Sequence, residues 1–391
     1  MRICRVATVP FFFLHHLGGQ IRFIADAGHE VDLICSRGPG FEELAKIPGI
    51  RIHAIEIPRR ISPLLDAIAL IRLFHLFRRR GYDIVHSTTP KAGLLSALAG
   101  RLAGVPVRMH TFTGQPWAEL SGIIRWLAVT SDRVVTRLNT QCYADSGSQQ
   151  KFLVNEGICT SDRVLVLGAG SLAGVDIKKT EQTKALFRSA AVRKTLAIPD
   201  EIPVIAFVGR VTRDKGIVEL IQAFEHILAA GVDCFLIIVG PFETGGDAAL
   251  EKELTQVRHH PKIRLIGYDA TPGKYLAIAD LLCLPSYREG FGNVVIESAV
   301  MGIPTVGTSI IGLADSVVDG VTGLLVQPKD SRALADALVL LLRDKGRRTR
   351  MGLAARERAI QLFDAARVNE SVLHEYERHF EFSGARNRHG S

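Results

Sequence analysis

The chain alternates short apolar runs with longer segments whose apolar residues recur every three or four positions. In the first half the runs are Ile3–Val9, Glu30–Cys35, Arg51–Ile57, Ile84–His86, Val107–His110, Val134–Thr136 and Arg163–Leu167. Helical spacing lies between them, over 19–27, 62–80, 91–103 and 147–156. Short apolar strands separated by helical segments predict a parallel sheet covered by helices on both faces. The second half repeats the plan. Its strands are Val204–Val208, Cys234–Val239, Ile263–Ile266, Leu281–Leu284, Pro304–Gly307 and Gly323–Val326. Its helices span 216–230, 247–258, 273–279, 293–301, 330–343 and 346–362. Residues 363–382 place Phe363, Val368, Val372, Leu373 and Tyr376 on one helical face. The stretch 169–200 is polar and irregular and predicts a hinge, and Ser383–Ser391 reads as a frayed tail.

A chain of 391 residues is too long for one ordinary core. Right-handed crossovers make two Rossmann-like, doubly wound α/β domains the economical topology. The expected division is 1–175, 176–362, and a segment 363–391 that returns to the first domain. Two such domains face each other across a cleft. Ligands of open α/β sheets bind beyond the carboxyl ends of the strands, so the residues just after each strand carry the interest.

Composition narrows the class. The chain is 47% hydrophobic and 23% charged, without collagenous or disordered bias. Residues 1–175 hold 20 Lys/Arg against 13 Asp/Glu, and 176–391 hold 28 against 27, so the +8 charge sits almost entirely in the first half. A basic half suits phosphate, an acidic membrane surface or nucleic acid. Cys4, Cys35, Cys142, Cys159, Cys234 and Cys283 show no metal-type spacing and read as reduced, buried thiols of a cytoplasmic protein. Met1-Arg2 and the apolar run through Phe13 lack a small-residue cleavage site and read as a strand rather than a signal peptide. No apolar stretch approaches the ~20 residues that span a bilayer.

One motif is set aside. Val164-Leu-Val-Leu-Gly168-Ala-Gly170-Ser-Leu-Ala173-Gly174 resembles a dinucleotide fingerprint, but no amphipathic helix follows. Nor does a strand ending in an acid follow at ~20 residues, as that fingerprint requires. The glycines read as an interdomain turn.

Two loops carry chemistry. Leu284-Pro-Ser-Tyr-Arg-Glu289-Gly290-Phe291-Gly292-Asn293-Val-Val-Ile-Glu297 is a strand end, a glycine-rich loop and a helix start. Its glycines allow a ligand close to the backbone, and Asn293 reads as the N-cap of a phosphate-favouring helix terminus. Carboxylates such as Glu289 and Glu297 accept from vicinal hydroxyls of a sugar or ribose. Phe207-Val-Gly209-Arg210-Val-Thr-Arg213-Asp-Lys215-Gly216 supplies cations after a strand, and Arg210 and Lys215 can clamp a diphosphate.

These residues resemble the family 4 retaining glycosyltransferases of the GT-B fold. Gly209-Arg210 with Gly216 and the spacing of Glu289 and Glu297 (E-x7-E) carry the likeness, with Gly302-Ile-Pro304 and Asp319-Gly-x-Thr-Gly323-Leu-Leu-Val. His86-Ser-Thr-Thr-Pro90-Lys91-Ala-Gly93 resembles the subgroup that makes capsules and O-antigens. Leu313-Ala-Asp315 departs from the family's usual Pro-Glu pair. The resemblance implies that Glu289 lies near the transferred sugar, that Glu297 holds the ribose, and that Arg210 and Lys215 neutralise the leaving diphosphate. It implies that the Gly290-Phe291-Gly292 backbone and Asn293 meet phosphate or sugar. Gly18 and Gly19 follow the first strand and would admit the diphosphate, and His110 would contact the donor sugar.

The expected reaction moves a sugar from a nucleoside diphosphate, UDP being favoured, to an acceptor hydroxyl with retention. No Asp-x-Asp pair occurs, so no catalytic metal is expected. The expected ligand is the nucleotide-sugar substrate, with no further cofactor and no nucleic-acid partner. A nucleotide-sugar 2-epimerase and a non-catalytic partner subunit of the same fold are the rival readings. The basic segment Arg59-Arg60 through Arg80 and the segment Phe112–Leu127 suggest peripheral binding to the inner, anionic membrane surface, with a polyprenyl-diphosphate-linked saccharide as acceptor. Against this, helix 62–80 must also cover the sheet, which would place most of its leucines in the core.

Overall fold

The structure, a computed structural model, describes residues 1–58, 60–187 and 190–388. Arg59 of the basic segment and 389–391 of the tail lie outside the described residues. The chain forms two compact units, Met1–Ala173 with Ala365–Ser391, and Gly174–Asp364.

The first unit holds a seven-stranded parallel sheet: β1 (Arg2–Val6), β2 (Glu30–Cys35), β3 (Ile50–Ala54), β4 (Ile84–Thr88), β5 (Val107–Phe112), β6 (Gln141–Ala144) and β7 (Val164–Val166), in the order β3-β2-β1-β4-β5-β6-β7. Both faces are covered, so the strands read as continuous apolar runs rather than alternating ones. Ile3, Val31 and Leu33 join one core with Phe13, Leu17, Ile21 and Tyr376. Cys4, Val6 and Ile34 join the other with Leu73, Phe77, Ala92 and Leu95. The C-terminal helix Ala365–Arg388 is pinned to this sheet through Tyr376. Arg5 Nη1 donates to the Tyr376 hydroxyl at 2.8 Å, and His86 Nδ1 lies 2.7 Å from the same oxygen.

The second unit holds a six-stranded parallel sheet: β8 (Val204–Val208), β9 (Phe235–Val239), β10 (Ile263–Gly267), β11 (Leu281–Leu284), β12 (Thr305–Thr308) and β13 (Gly323–Val326), ordered β10-β9-β8-β11-β12-β13. In each sheet the strand order reverses beside the first strand, between β1 and β4 and between β8 and β11. There the flanking helices pass to opposite faces and leave a crevice at the carboxyl edge.

Four expectations are corrected. Val134–Thr136 is not a strand but the last turn of the helix Gly122–Leu138, and the strand is Gln141–Ala144. The expected hinge 169–200 contains the helices Ile177–Phe187 and Ala190–Thr195. β1 stops at Val6, and a helical segment begins at Pro10. The helix Ala365–Arg388 runs six residues into the stretch expected to fray. After β7, Gly168, Gly170, Ser171 and Gly174 all have positive φ, which is turn geometry, and no helix begins until Ile177. No helix among the described residues is long and apolar enough to cross a membrane.

Candidate active site

The crevice between β8 and β11 receives both chemistry-bearing loops of the second unit. After β8 the chain runs through Gly209 and Arg210 into a 3-10 turn at Arg213–Lys215, then into the helix Ile217–Ala229. After β11 the loop 285–292 leads into the helix Asn293–Val300. Gly292 caps that helix at φ +85°, a left-handed conformation, so the cap is Gly292, and Asn293 is the first helical residue rather than the cap.

The two loops are bound to each other. Lys215 Nζ lies 2.5 Å from Glu289 Oε1, which also accepts from Ser286 Oγ at 2.7 Å. Arg288 Nη2 lies 3.0 Å from Asp214 Oδ2, and the Tyr287 amide donates to the Asp214 carbonyl at 2.8 Å. Tyr287 is held from above by Lys329, whose ammonium sits 4.8 Å from the ring centroid. Nothing in the sequence alone singles out Ser286, Asp214, Tyr287, Arg288 or Lys329. Asp214 and Arg288 flank Lys215 and Glu289, but nothing in one chain's pattern pairs residues 74 positions apart. Arg210 is turned the other way, its Nη1 donating to Glu243 Oε2 at 2.9 Å on the loop after β9. Phe291 is buried and meets Phe363 edge-on at 5.1 Å, so its ring anchors the loop while the backbone of Gly290–Gly292 stays at the crevice.

Glu297 lies one turn into the helix. Among the described residues nothing hydrogen-bonds its carboxylate. Burial pushes its carboxyl up to about 7, with Lys179 of the helix Ile177–Phe187 pulling weakly the other way. The folded chain therefore holds a proton that the unfolded chain has lost between the ordinary carboxylate range and about 7. That contribution to stability is full below the ordinary carboxylate range and is lost as pH rises through about 7. Denaturant melts across this window should show Glu297→Gln flattening the decline. An unchanged slope would mean that Glu297 is ionised in the folded chain at all these pH values.

The first unit places His110, His86, Gly18 and Gly19 in different surroundings. His110 sits in β5, buried, with Nδ1 2.9 Å from Ser87 Oγ and its ring edge-on to Phe112. Burial pushes it down to about 3, so it is a neutral imidazole at any working pH. It packs so closely on Gly93 that a Cβ there would lie 2.5 Å from its Cε1. His86 is spent on Tyr376 and Thr111. Gly18 and Gly19 are helical, not in a loop: a π-helical turn Phe13–Leu17 leads directly into the helix Gly18–Asp26. A Cβ at Gly19 would meet nothing within 4 Å, so no close approach within the chain demands glycine there.

Comparison with known proteins fits this geometry. The profile described as "Glycosyl transferases group 1" matches residues 189–358, and that of a "Glycosyl transferase 4-like domain" matches 15–170. The capsular polysaccharide biosynthesis glycosyltransferase CapM of Staphylococcus aureus is 28% identical over 90% of this chain and 91% of its own. An Escherichia coli enzyme, UDP-Gal:alpha-D-GlcNAc-diphosphoundecaprenol alpha-1,3-galactosyltransferase, is 26% identical over 83% of each chain. The D-inositol 3-phosphate glycosyltransferase of Corynebacterium diphtheriae is 30% identical over 80% of this chain and 74% of its own. Among solved structures, Anabaena HepE in complex with UDP-glucose superposes with a TM-score of 0.78 at 19% identity, covering 97% of this chain and all of that one. The three relatives from Staphylococcus, Escherichia and Corynebacterium are all transferases, and none supports the epimerase reading. Two Rossmann-like parallel sheets, the two matched profiles and a relative at 30% identity lead to one conclusion: the chain is a GT-B glycosyltransferase and belongs to the glycosyl transferases group 1 family.

Proposed function

We propose that the chain transfers a hexosyl or N-acetylhexosaminyl unit from a UDP-sugar to a hydroxyl of a polyprenyl-diphosphate-linked saccharide, with retention and without a metal. The observation that carries the donor side is the Lys215–Glu289 pair at the β8/β11 crevice, beside the Gly290–Gly292 backbone and a helix N-terminus. A cation and a helix N-terminus at that edge favour a diphosphate. The names of two relatives, a capsular polysaccharide transferase and a transferase onto a diphosphoundecaprenol-linked sugar, support the acceptor class.

In this reading the bond from the anomeric carbon to the leaving diphosphate oxygen breaks, and its electron pair stays on the diphosphate. Lys215 and Arg210 stabilise that charge, Arg210 by leaving Glu243. The acceptor oxygen bonds to the anomeric carbon on the same face, and its proton passes to a leaving-phosphate oxygen. Glu289, already bound to Lys215 and Ser286, orients the sugar hydroxyls and takes no covalent part. Transfer should persist in EDTA. Complete loss, restored by manganese or magnesium, would overturn the metal-free reading.

Glu297 takes the ribose. Hydroxyls that donate to a carboxylate favour its ionised form, so donor binding near pH 7 should release a proton. Calorimetry in buffers of differing ionisation enthalpy reads this directly. Glu297→Ala should weaken donor binding with little change in kcat, because ribose contacts act alike on ground and transition states. A loss confined to kcat, with donor Kd unchanged, would remove Glu297 from the ribose site.

A further inference from the structure

The helix Pro63–Arg80 turns only Ala69, Leu73 and Phe77 fully inward. Ile61, just before it, and Leu64, Leu65, Ile68 and Ile71 on it are exposed, Ile61 and Leu64 to 74%. Their three- and four-residue spacing sets them in one line along the outward face. The line continues into Arg72, His75, Arg78 and Arg79, all exposed. The helix has a single acid, Asp66, and its carboxylate is turned onto Lys91 at 2.9 Å. The outward line is thus apolar for its first half and cationic for its second, with no acid along it. The sequence expectation that most of the helix's leucines are core holds for Leu70, Leu73 and Leu76, which pack against the sheet side, while Leu64 and Leu65 stay outside with the isoleucines.

A second patch lies in the same layer. Leu120, Ile123, Ile124, Trp126 and Leu127, at the start of the helix Gly122–Leu138, are exposed. The helix Pro90–Ala103 packs between the two, touching both.

We propose that this layer docks on an anionic lipid bilayer. The helix Pro63–Arg80 lies in the headgroup plane with its first three turns inserted, its arginines meet lipid phosphates, and Trp126 inserts beside it. Charge selects the occupant. A line half apolar and half cationic matches a surface whose interior is hydrocarbon and whose rim is uniformly negative. All three helices follow strands of a parallel sheet and start at its carboxyl edge. Inserting the first turns of the two outer helices holds that edge at headgroup level, where a polyprenyl-linked diphosphate is met without leaving the bilayer. This last consequence rests on the acceptor reading above; the docking itself does not.

The chain carries its own reporter. It has two tryptophans: Trp117 is 2% exposed and Trp126 is 57% exposed. The experiment mixes the full chain with vesicles of phosphatidylcholine alone or with half phosphatidylglycerol, at low and high salt, and reads flotation and tryptophan emission. Flotation should occur with the anionic vesicles and weaken in salt, and brominated acyl chains should quench emission in wild type but not in Trp126→Phe. The variant Leu64→Glu/Ile71→Glu, at exposed positions, should lose binding at least tenfold while keeping its melting temperature and its turnover of a short-chain, water-soluble acceptor. Absent flotation, flotation with Trp126 unquenched, or a variant that binds like wild type would each overturn the proposal. So would concentration-dependent dimers that shift Trp126 emission without lipid, since a second copy would then be the occupant. Loss of all turnover on the soluble acceptor in wild type would instead count against the transferase reading, and the vesicle result would stand apart from it.

Discussion

Lys215→Ala is expected to lower kcat by at least about 100-fold at saturating donor, the scale of removing one preorganised group that stabilises transition-state charge. The structure sharpens this expectation. Lys215 is bound to Glu289 at 2.5 Å, and both side chains are largely buried. Removing the lysine therefore leaves the diphosphate with Arg210 as its cation and leaves Glu289 with Ser286 but no cation. A carboxylate without a cation beside an incoming diphosphate repels it, so donor affinity should also fall. Lys215→Ala/Glu289→Gln should recover part of the donor affinity, because the repulsion is gone, yet recover little kcat. Near-wild-type kcat in Lys215→Ala would remove Lys215 from the chemistry. Full additivity in the double variant would show that the pair does not act as a unit.

The fold was legible because a parallel sheet buried on both faces writes itself as uninterrupted apolar runs. FLIIV of β9 and VIAFV of β8 have few competing readings when helical spacing flanks them. The one strand misplaced shows the limit of that signal. Val134-Val-Thr136 is β-branched and apolar, which favours a strand locally. It lies instead at the end of a seventeen-residue helix whose buried positions Val129, Asp132, Val135 and Thr136 form one face, so tertiary packing overrides propensity. The helix Ile177–Phe187 reads as irregular in sequence because it buries none of its residues and so shows no apolar face.

The loops of the candidate site were legible for a different reason. Glycines and charged residues after a strand announce a backbone that turns sharply near a ligand. What stayed hidden was the pairing. Sequence set Arg210 and Lys215 side by side as one clamp, whereas the structure splits them, Lys215 to Glu289 and Arg210 to Glu243. Sequence also could not sort the leucines and isoleucines of the helix Pro63–Arg80 into core and surface. The helix is apolar over more than one face, and only the position of its neighbours decides which face is covered.

The close approach of the two loops makes the second large prediction. Gly216 ends the turn that carries Lys215, at φ +69°. A Cβ built there would lie 2.0 Å from the carbonyl oxygen of Pro285, a backbone atom that cannot swing aside. Pro285 begins the loop that carries Glu289, so Gly216→Ala must drive the two loops apart. The left-handed conformation alone costs a residue with a side chain about 1–2 kcal/mol. The clash adds to it, and a total loss of roughly 2–4 kcal/mol is expected from denaturant melts. Gly231 is the control. It has a similar φ of +73°, but a Cβ there meets nothing within 4 Å, so Gly231→Ala bears the conformational cost without the clash. The difference between the two variants isolates the loop contact. Because separation of the loops also breaks the Lys215–Glu289 pair, kcat/KM in Gly216→Ala should fall at least as far as in Lys215→Ala, while Gly231→Ala should turn over like wild type. Equal stability and equal activity of the two alanine variants would mean that Gly216 does not hold the loops together and that the pair is set by other contacts.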